Sequence, residues 1–392
     1  MRGAIDKRGM SALSSGHLAT DFANGALPAL LPFLADEFDL SYVLVGLAML
    51  AWAFSSSVLQ PLFGLWSDNR GAIWLLPAGL ALGGLGIGLA AVAPSYWICL
   101  VLITISGLGT AAFHPEGARF ASYVSGRRRA SGMSFFSIGG NIGYALGPIA
   151  TTFLVVHFGL ESGLLLALPC LVVSAMLVWA VPYLQSFEPS RDAVHAAAGK
   201  DRVGAILALL GVVAFRAVAW FGLITFVPLY EVSQGHSESY GNRLLAAMLL
   251  AGGLGTIVAG PLADRFGRRP VLVASVFATG PLIVAYLAVG GLAGAIALAL
   301  VGPCVVGTFG VTMVMSQEYL PRHIGLASGL SIGLSIGLGG IAAVALGAIA
   351  DAVDLQAALY VCAAAPFAAL VLCLMLPPTG ARRARLAPEP VV

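Results

Sequence analysis

Apolar residues run along this chain in blocks of twenty or more, separated by short polar breaks, with none of the strict alternation a strand would show. A bilayer-spanning helix needs about 20 predominantly apolar residues. By that measure spans are predicted at 11–34, 42–65, 72–93, 96–124, 131–157, 160–182, 203–230, 240–263, 270–290, 294–320, 325–350 and 355–377. The pattern predicts an all-α integral membrane protein of twelve transmembrane helices, six in each half.

The polar breaks carry an internal repeat. The loop Gly260-Pro-Leu-Ala-Asp264-Arg265-Phe-Gly267-Arg268-Arg269 has a reduced copy 196 residues earlier, at Gly64-Leu-Trp-Ser-Asp68-Asn-Arg70-Gly71. Pro32 and Pro228 begin similar tripeptides at the same offset, which is half of the 392-residue chain. Two pseudo-symmetric six-helix bundles follow: 1–182, then a charged linker at 183–202, a second bundle at 203–378 and a polar tail at 379–392.

Composition agrees with a membrane chain. Hydrophobic residues make up 59% and charged residues 10%, against about 25% charged in soluble domains. The 49 glycines suit helices that approach closely within a bilayer. A net charge of +2, spread over short loops, gives no reason to expect a nucleic-acid partner. The five cysteines lie in apolar runs without CxxC spacing and read as packing residues. Arg2, Lys7 and Arg8 precede a full-length apolar segment with no small-residue cleavage site, which argues against a cleavable signal peptide.

Orientation follows from the Lys/Arg bias of short loops. With both termini cytoplasmic, 17 of the 20 basic residues fall on the cytoplasmic side, while Asp36, Glu37, Asp39, Glu161, Glu231, Glu238, Asp351 and Asp354 gather at outer ends. The expected location is the bacterial cytoplasmic (inner) membrane.

Twelve spans in two sets of six, a central linker and the Gly-x-x-x-Asp-Arg-x-Gly-Arg-Arg loop after the eighth span together resemble the major facilitator superfamily over the whole chain. The resemblance implies that Gly64, Asp68, Gly260, Asp264, Arg265, Gly267, Arg268 and Arg269 form loops for conformational switching. Physically, Gly260 offers room for a close crossing, Asp264 an acceptor for a neighbouring helix N-terminus, and the arginines a hold on the cytoplasmic face. Gly143, Gly147 and Pro148 in the fifth span are similar to a packing element of drug/proton antiporters. The fourth span departs from that branch, with Ile103 where many antiporters carry Arg. Phe113-His114-Pro115-Glu116, Gly139-Gly140-Asn141, Gln317-Glu318 and Gly16-His17 through Asp21 resemble fosmidomycin resistance-type exporters. That resemblance implies proton-coupled efflux of an antibiotic-like compound.

Ionisable groups inside a span are expensive and face a cavity or a partner. At ~1.5 Å per residue, His17 lies roughly 9 Å deep and Asp21 roughly 15 Å, while Arg119 lies roughly 9 Å deep and Glu116 roughly 13 Å. His17, Asp21 and Asn24 share one helical face at i, i+4 and i+7. Asp21, Glu116, His17 and His114 are the proton-coupling candidates. Two adjacent carboxylates cannot both ionise cheaply in a low dielectric, so an Asp21/Glu116 cluster is expected to hold a proton. The repeat carries Arg216 onto Thr20, beside Asp21, so Arg216 is expected to face that cluster or an anionic substrate.

Arg119, Trp220, Asn24, Asn141, Tyr144, Gln60 and Gln317 are further candidates for lining the pathway. The plain alternatives are a structural Glu116–Arg119 pair and ordinary interhelical hydrogen bonds. A metal site from His17, His114 and Glu116 lacks ligand spacing, so none is expected. No Walker lysine or nucleophile triad appears, so neither ATP-driven pumping nor enzymatic chemistry is expected, and no cofactor beyond the proton as coupling ion. The reading is a monomeric proton-coupled exporter of a small, anionic compound, working in the lipid bilayer; the alternative is an uptake symporter or facilitator for an organic anion.

Overall fold

The computed structural model describes residues 5–60, 62–63, 72–125, 129–187, 200–320 and 324–377, and among these the regular elements are all helical. In chain order they are α1 (Lys7–Glu37), α2 (Tyr42–Val58), α3 (Leu75–Ala90), α4 (Tyr96–Val124) and α5 (Arg129–Phe158). A 3-10 turn at Leu160–Leu166 leads into α6 (Ala167–Gln185). The second half holds α7 (Val203–Ser233), α8 (Glu238–Phe266), α9 (Arg268–Val289), α10 (Gly291–Tyr319), α11 (Ile324–Ala352) and α12 (Leu355–Met375). Ten of these contain stretches long and apolar enough to cross a bilayer, and α2 and α3 are shorter apolar helices of 17 and 16 residues. The reduced loop copy with Gly64 and Asp68, the linker core at 188–199, Arg322 and the tail lie outside the described residues.

The first and last described segments, at Asp6 and Pro377, meet one face of the molecule. The N–H of Asp6 donates to the carbonyl of Val124, that of Arg202 to Tyr319, and the Tyr319 hydroxyl to the carbonyl of Pro377. This is the terminal face; the opposite one is the distal face. At the terminal face α6 runs past the expected boundary at 182. Tyr183 remains helical because its hydroxyl donates to Asp6 at 2.8 Å and Arg8 lies 4.7 Å over its ring.

Helix α5 lies along α1, and glycine sets the distance. A Cβ on Gly143 would sit 2.0 Å from the Leu18 carbonyl oxygen, and one on Gly147 2.5 Å from the Ala26 nitrogen. Small residues of this kind let membrane helices touch backbone to backbone, and Pro148 follows directly. The two halves meet along α2–α11 and α5–α8. That seam is tightest at the distal face, where a Cβ on Gly347 would lie 2.4 Å from the Tyr42 carbonyl oxygen and one on Gly46 2.5 Å from that of Ala343. Nearer the terminal face the corresponding distances are 3.5 Å at Gly337 and 3.9 Å at Gly333, both to Ser57. Helices α2 and α11 therefore approach less closely toward the terminal face. Gly260 has nothing within 4 Å of where its Cβ would be, so it marks no close crossing in this conformation.

The charged loop around Gly267 fastens the second half internally. Gly267 ends α8 with φ of +93°, a conformation that favours glycine. Arg268 pairs with Glu318 at the end of α10, and Arg269 donates to the Leu374 carbonyl of α12. Arg265 is exposed over the Phe266 ring at 5.2 Å. The side chain of Asp264 is outside the described residues.

Candidate functional site

Between the halves lies a cavity of about 240 Å³, walled by α1, α2, α4 and α5 on one side and α7, α10 and α11 on the other. Its polar lining includes Asp21, Asn24, His114, Asn141, Tyr144 and Arg216, with Trp220 beside them. Gln60 and Gln317 do not line it.

The first-half wall is organised around the Asp21 carboxylate. Oδ2 faces His17 Nε2 at 3.1 Å; Oδ1 faces His114 Nε2 at 3.1 Å and accepts from the Asn24 amide at 3.0 Å. Asn24 is oriented in turn, because its Oδ1 accepts from Thr110 at 2.8 Å and from the Trp52 indole at 3.2 Å. His17 is held on two further sides. Its ring stacks on Phe136 with centroids 4.1 Å apart, and Nδ1 lies 2.8 Å from the Phe136 carbonyl oxygen. A carbonyl oxygen can only accept, so Nδ1 carries a proton. Nε2 then meets Asp21 in one of two ways: with a second proton, as an imidazolium donating to the carboxylate, or with a lone pair opposed to it. Only the first is attractive at 3.1 Å. An arrangement of this kind can hold a proton between the two side chains, and removing it turns attraction into repulsion. Gly140 makes room for it: a Cβ there would lie 2.5 Å from both Asp21 Oδ2 and His17 Nε2.

Glu116 does not join this cluster, which corrects the carboxylate pair expected from depth alone. It is 1% exposed and accepts from Arg119 at 2.8 Å on its own helix. Residues two apart on a helix point about 200° apart, so His114 facing Asp21 turns Glu116 away. Arg119 also lies 5.4 Å over the Phe120 ring and is absent from the cavity wall. Asp21, rather than Glu116, therefore completes the three-donor set with the two histidines, whose ligand atoms lie within 4.8 Å of one another. Hydrogen bonding accounts for both 3.1 Å separations.

Arg216 enters the same cavity from α7, but it forms no contact with Asp21. It is 8% exposed and donates to the carbonyl of Val305, and to the Thr308 hydroxyl at 2.8 Å. Both acceptors belong to a break in α10, where Pro303–Gly307 form a π-helical turn. Such turns free carbonyls from the regular ladder and recur at functional sites. Thr308 is steadied by Ser275 of α9 at 3.3 Å. Across the cavity Trp220 stacks on Tyr144 of the other half, with centroids 6.5 Å apart. Trp52, Thr110, Thr308 and the π turn were not singled out from the sequence. Pro303 and Gly307 in mid-span were the available signal for the turn.

Two six-helix bundles closing around a shared cavity lined by a few charged and polar groups are the architecture of a secondary transporter. A family model for the Major Facilitator Superfamily matches residues 13–248 and 209–391. The chain is 33% identical over 375 residues to an uncharacterized MFS-type transporter of Bacillus subtilis (strain 168), covering 92% of this chain and 90% of that one. It is 30% identical over 367 residues to the fosmidomycin resistance protein of Escherichia coli (strain K12), covering 91% and 90%. Its fold superposes with a TM-score of 0.71 on a bacterial homolog of the human lysosomal transporter Spinster, at 16% identity and with 94% of this chain and 93% of that chain covered. The chain belongs to the major facilitator superfamily: it is a multi-pass membrane transporter, not an enzyme.

Proposed function

We propose that this transporter is a proton-coupled exporter, exchanging inward protons for a small organic anion by rocking its two bundles about the shared cavity. The observation that carries the reading is the His17–Asp21–His114 cluster opening onto the cavity that Arg216 also lines. A proton arriving from outside sits on His17 Nε2 and is shared with Asp21. Its departure to the inside opposes a lone pair to the carboxylate, and the wall formed by α1, α4 and α5 rearranges. Arg216, held by two neutral acceptors and no carboxylate in this conformation, is the group that receives the anion. The name of the E. coli relative supports export, and the Lys/Arg bias supports a cytoplasmic terminal face in the bacterial inner membrane. One copy of the chain holds the whole cavity, which suits a functional monomer.

The test uses fosmidomycin, the compound in that relative's name. Added to the purified protein in weakly buffered detergent solution, it should release protons from the wild type and none from Asp21→Asn. Binding without proton release from the wild type would remove the coupling. Uptake by symport, the alternative that a buried Arg216 equally suits, would instead show as proton binding on addition of the anion.

A further inference from the structure

We infer that Asp351 is a latch holding the distal face closed, by capping a helix that belongs to the other half of the molecule. Asp351 lies at the end of α11. Its Oδ1 accepts from the backbone N–H of Tyr42 at 2.8 Å, and its Oδ2 from that of Val43 at 2.9 Å. These are the first two residues of α2, whose N–H groups have no partner within their own helix. Ser41 serves the next two: its hydroxyl accepts from Leu44 at 3.4 Å and its carbonyl from Val45 at 3.1 Å. The cap of α2 is thus built half from its own serine and half from α11. A carboxylate at a helix N-terminus also meets the positive end of the helix dipole.

The repeat shows that this is not how the fold must cap the helix. The counterpart of α2 is α8, where Ser237 stands in the place of Ser41 and accepts from Tyr240 at 3.3 Å. At the position matching Tyr42, α8 has Glu238, a carboxylate of its own. The residue matching Asp351 in the first half is Val155, which cannot return the favour. So both helices carry their own serine cap, and α2 alone of the two also takes an acceptor from across the seam. That acceptor sits where the halves are tightest, beside Gly347 and Gly46. Opening the distal face separates α2 from α11 and breaks both bonds. Because the site is exposed, water replaces Asp351 there, which makes the latch reversible. This is the device expected from sequence for the charged loops of the terminal face, found at the opposite face.

The experiment needs neither substrate nor coupling ion, so its outcome is independent of the proton-exchange reading. Ala217, in the cavity wall, is replaced by Cys in a Cys304→Ser background. Vesicles of each sidedness are sorted by protease access to a C-terminal tag, then treated with a membrane-impermeant maleimide. Asp351→Ala should raise labelling from the distal side at least about fivefold, as expected for two lost charge-assisted hydrogen bonds. Labelling from the terminal side should fall, and Asp351→Asn should lie between wild type and Asp351→Ala. Unchanged labelling from both sides overturns the latch. A rise from both sides also overturns it, since that reports loosening of the fold and not a shift between states.

Discussion

Replacing Gly140 by alanine removes no functional group, yet it should uncouple the transporter. The added Cβ would lie 2.5 Å from Asp21 Oδ2 and 2.5 Å from His17 Nε2. Ordinary contact begins at about 3.4 Å, so each of these atoms must retreat from the new methyl by about 0.9 Å. The His17–Asp21 separation of 3.1 Å then passes beyond hydrogen-bonding range. A partly buried hydrogen bond to a charged group contributes about 1.5–3 kcal/mol, which corresponds to about 10- to 150-fold in the population of the paired state. The atoms met are the ends of flexible side chains, so the helices need not move, and the melting point in detergent should fall by no more than that one hydrogen bond contributes. The assay is fosmidomycin-induced proton release beside a melting curve. A Gly140→Ala protein that melts normally and still releases protons as the wild type does would refute the placement of the proton on the His17–Asp21 pair.

Gly143→Ala, one turn away, should do the reverse. Its Cβ meets the Leu18 backbone oxygen at 2.0 Å, which cannot yield without moving α1, and overpacking of this kind costs about 1–3 kcal/mol; a melting point lower by several degrees checks it, and an unchanged one contradicts the α1–α5 crossing. Arg216→Lys should keep the fold and charge but lose the planar fork, weakening fosmidomycin affinity by about tenfold in a binding titration, since the two cations are not interchangeable at such a site.

The architecture was legible in the sequence because apolar run length and the 196-residue repeat are properties of the chain itself. The site was half legible. Counting residues from a span end gives depth, and depth brought Asp21 level with α4. It cannot say which face of α4 looks inward, and His114, not Glu116, does. The repeat also carried Arg216 into the cavity. Its partners were hidden because they arise from a π turn at Pro303–Gly307, a break that helical periodicity does not record. Asp351 read only as one more acidic residue at an outer end. Its role depends on the nearness of Tyr42, 309 positions away in the chain.

The central claim is that proton movement through the Asp21 cluster drives export. The direct test is fosmidomycin transport into inverted vesicles, with the terminal face outward, under an imposed pH gradient acid inside. Wild type should accumulate the compound, a protonophore should abolish accumulation, and Asp21→Asn should lose accumulation while still exchanging labelled for unlabelled compound without a gradient. Wild-type transport indifferent to the gradient, or full gradient-driven accumulation by Asp21→Asn, would contradict it.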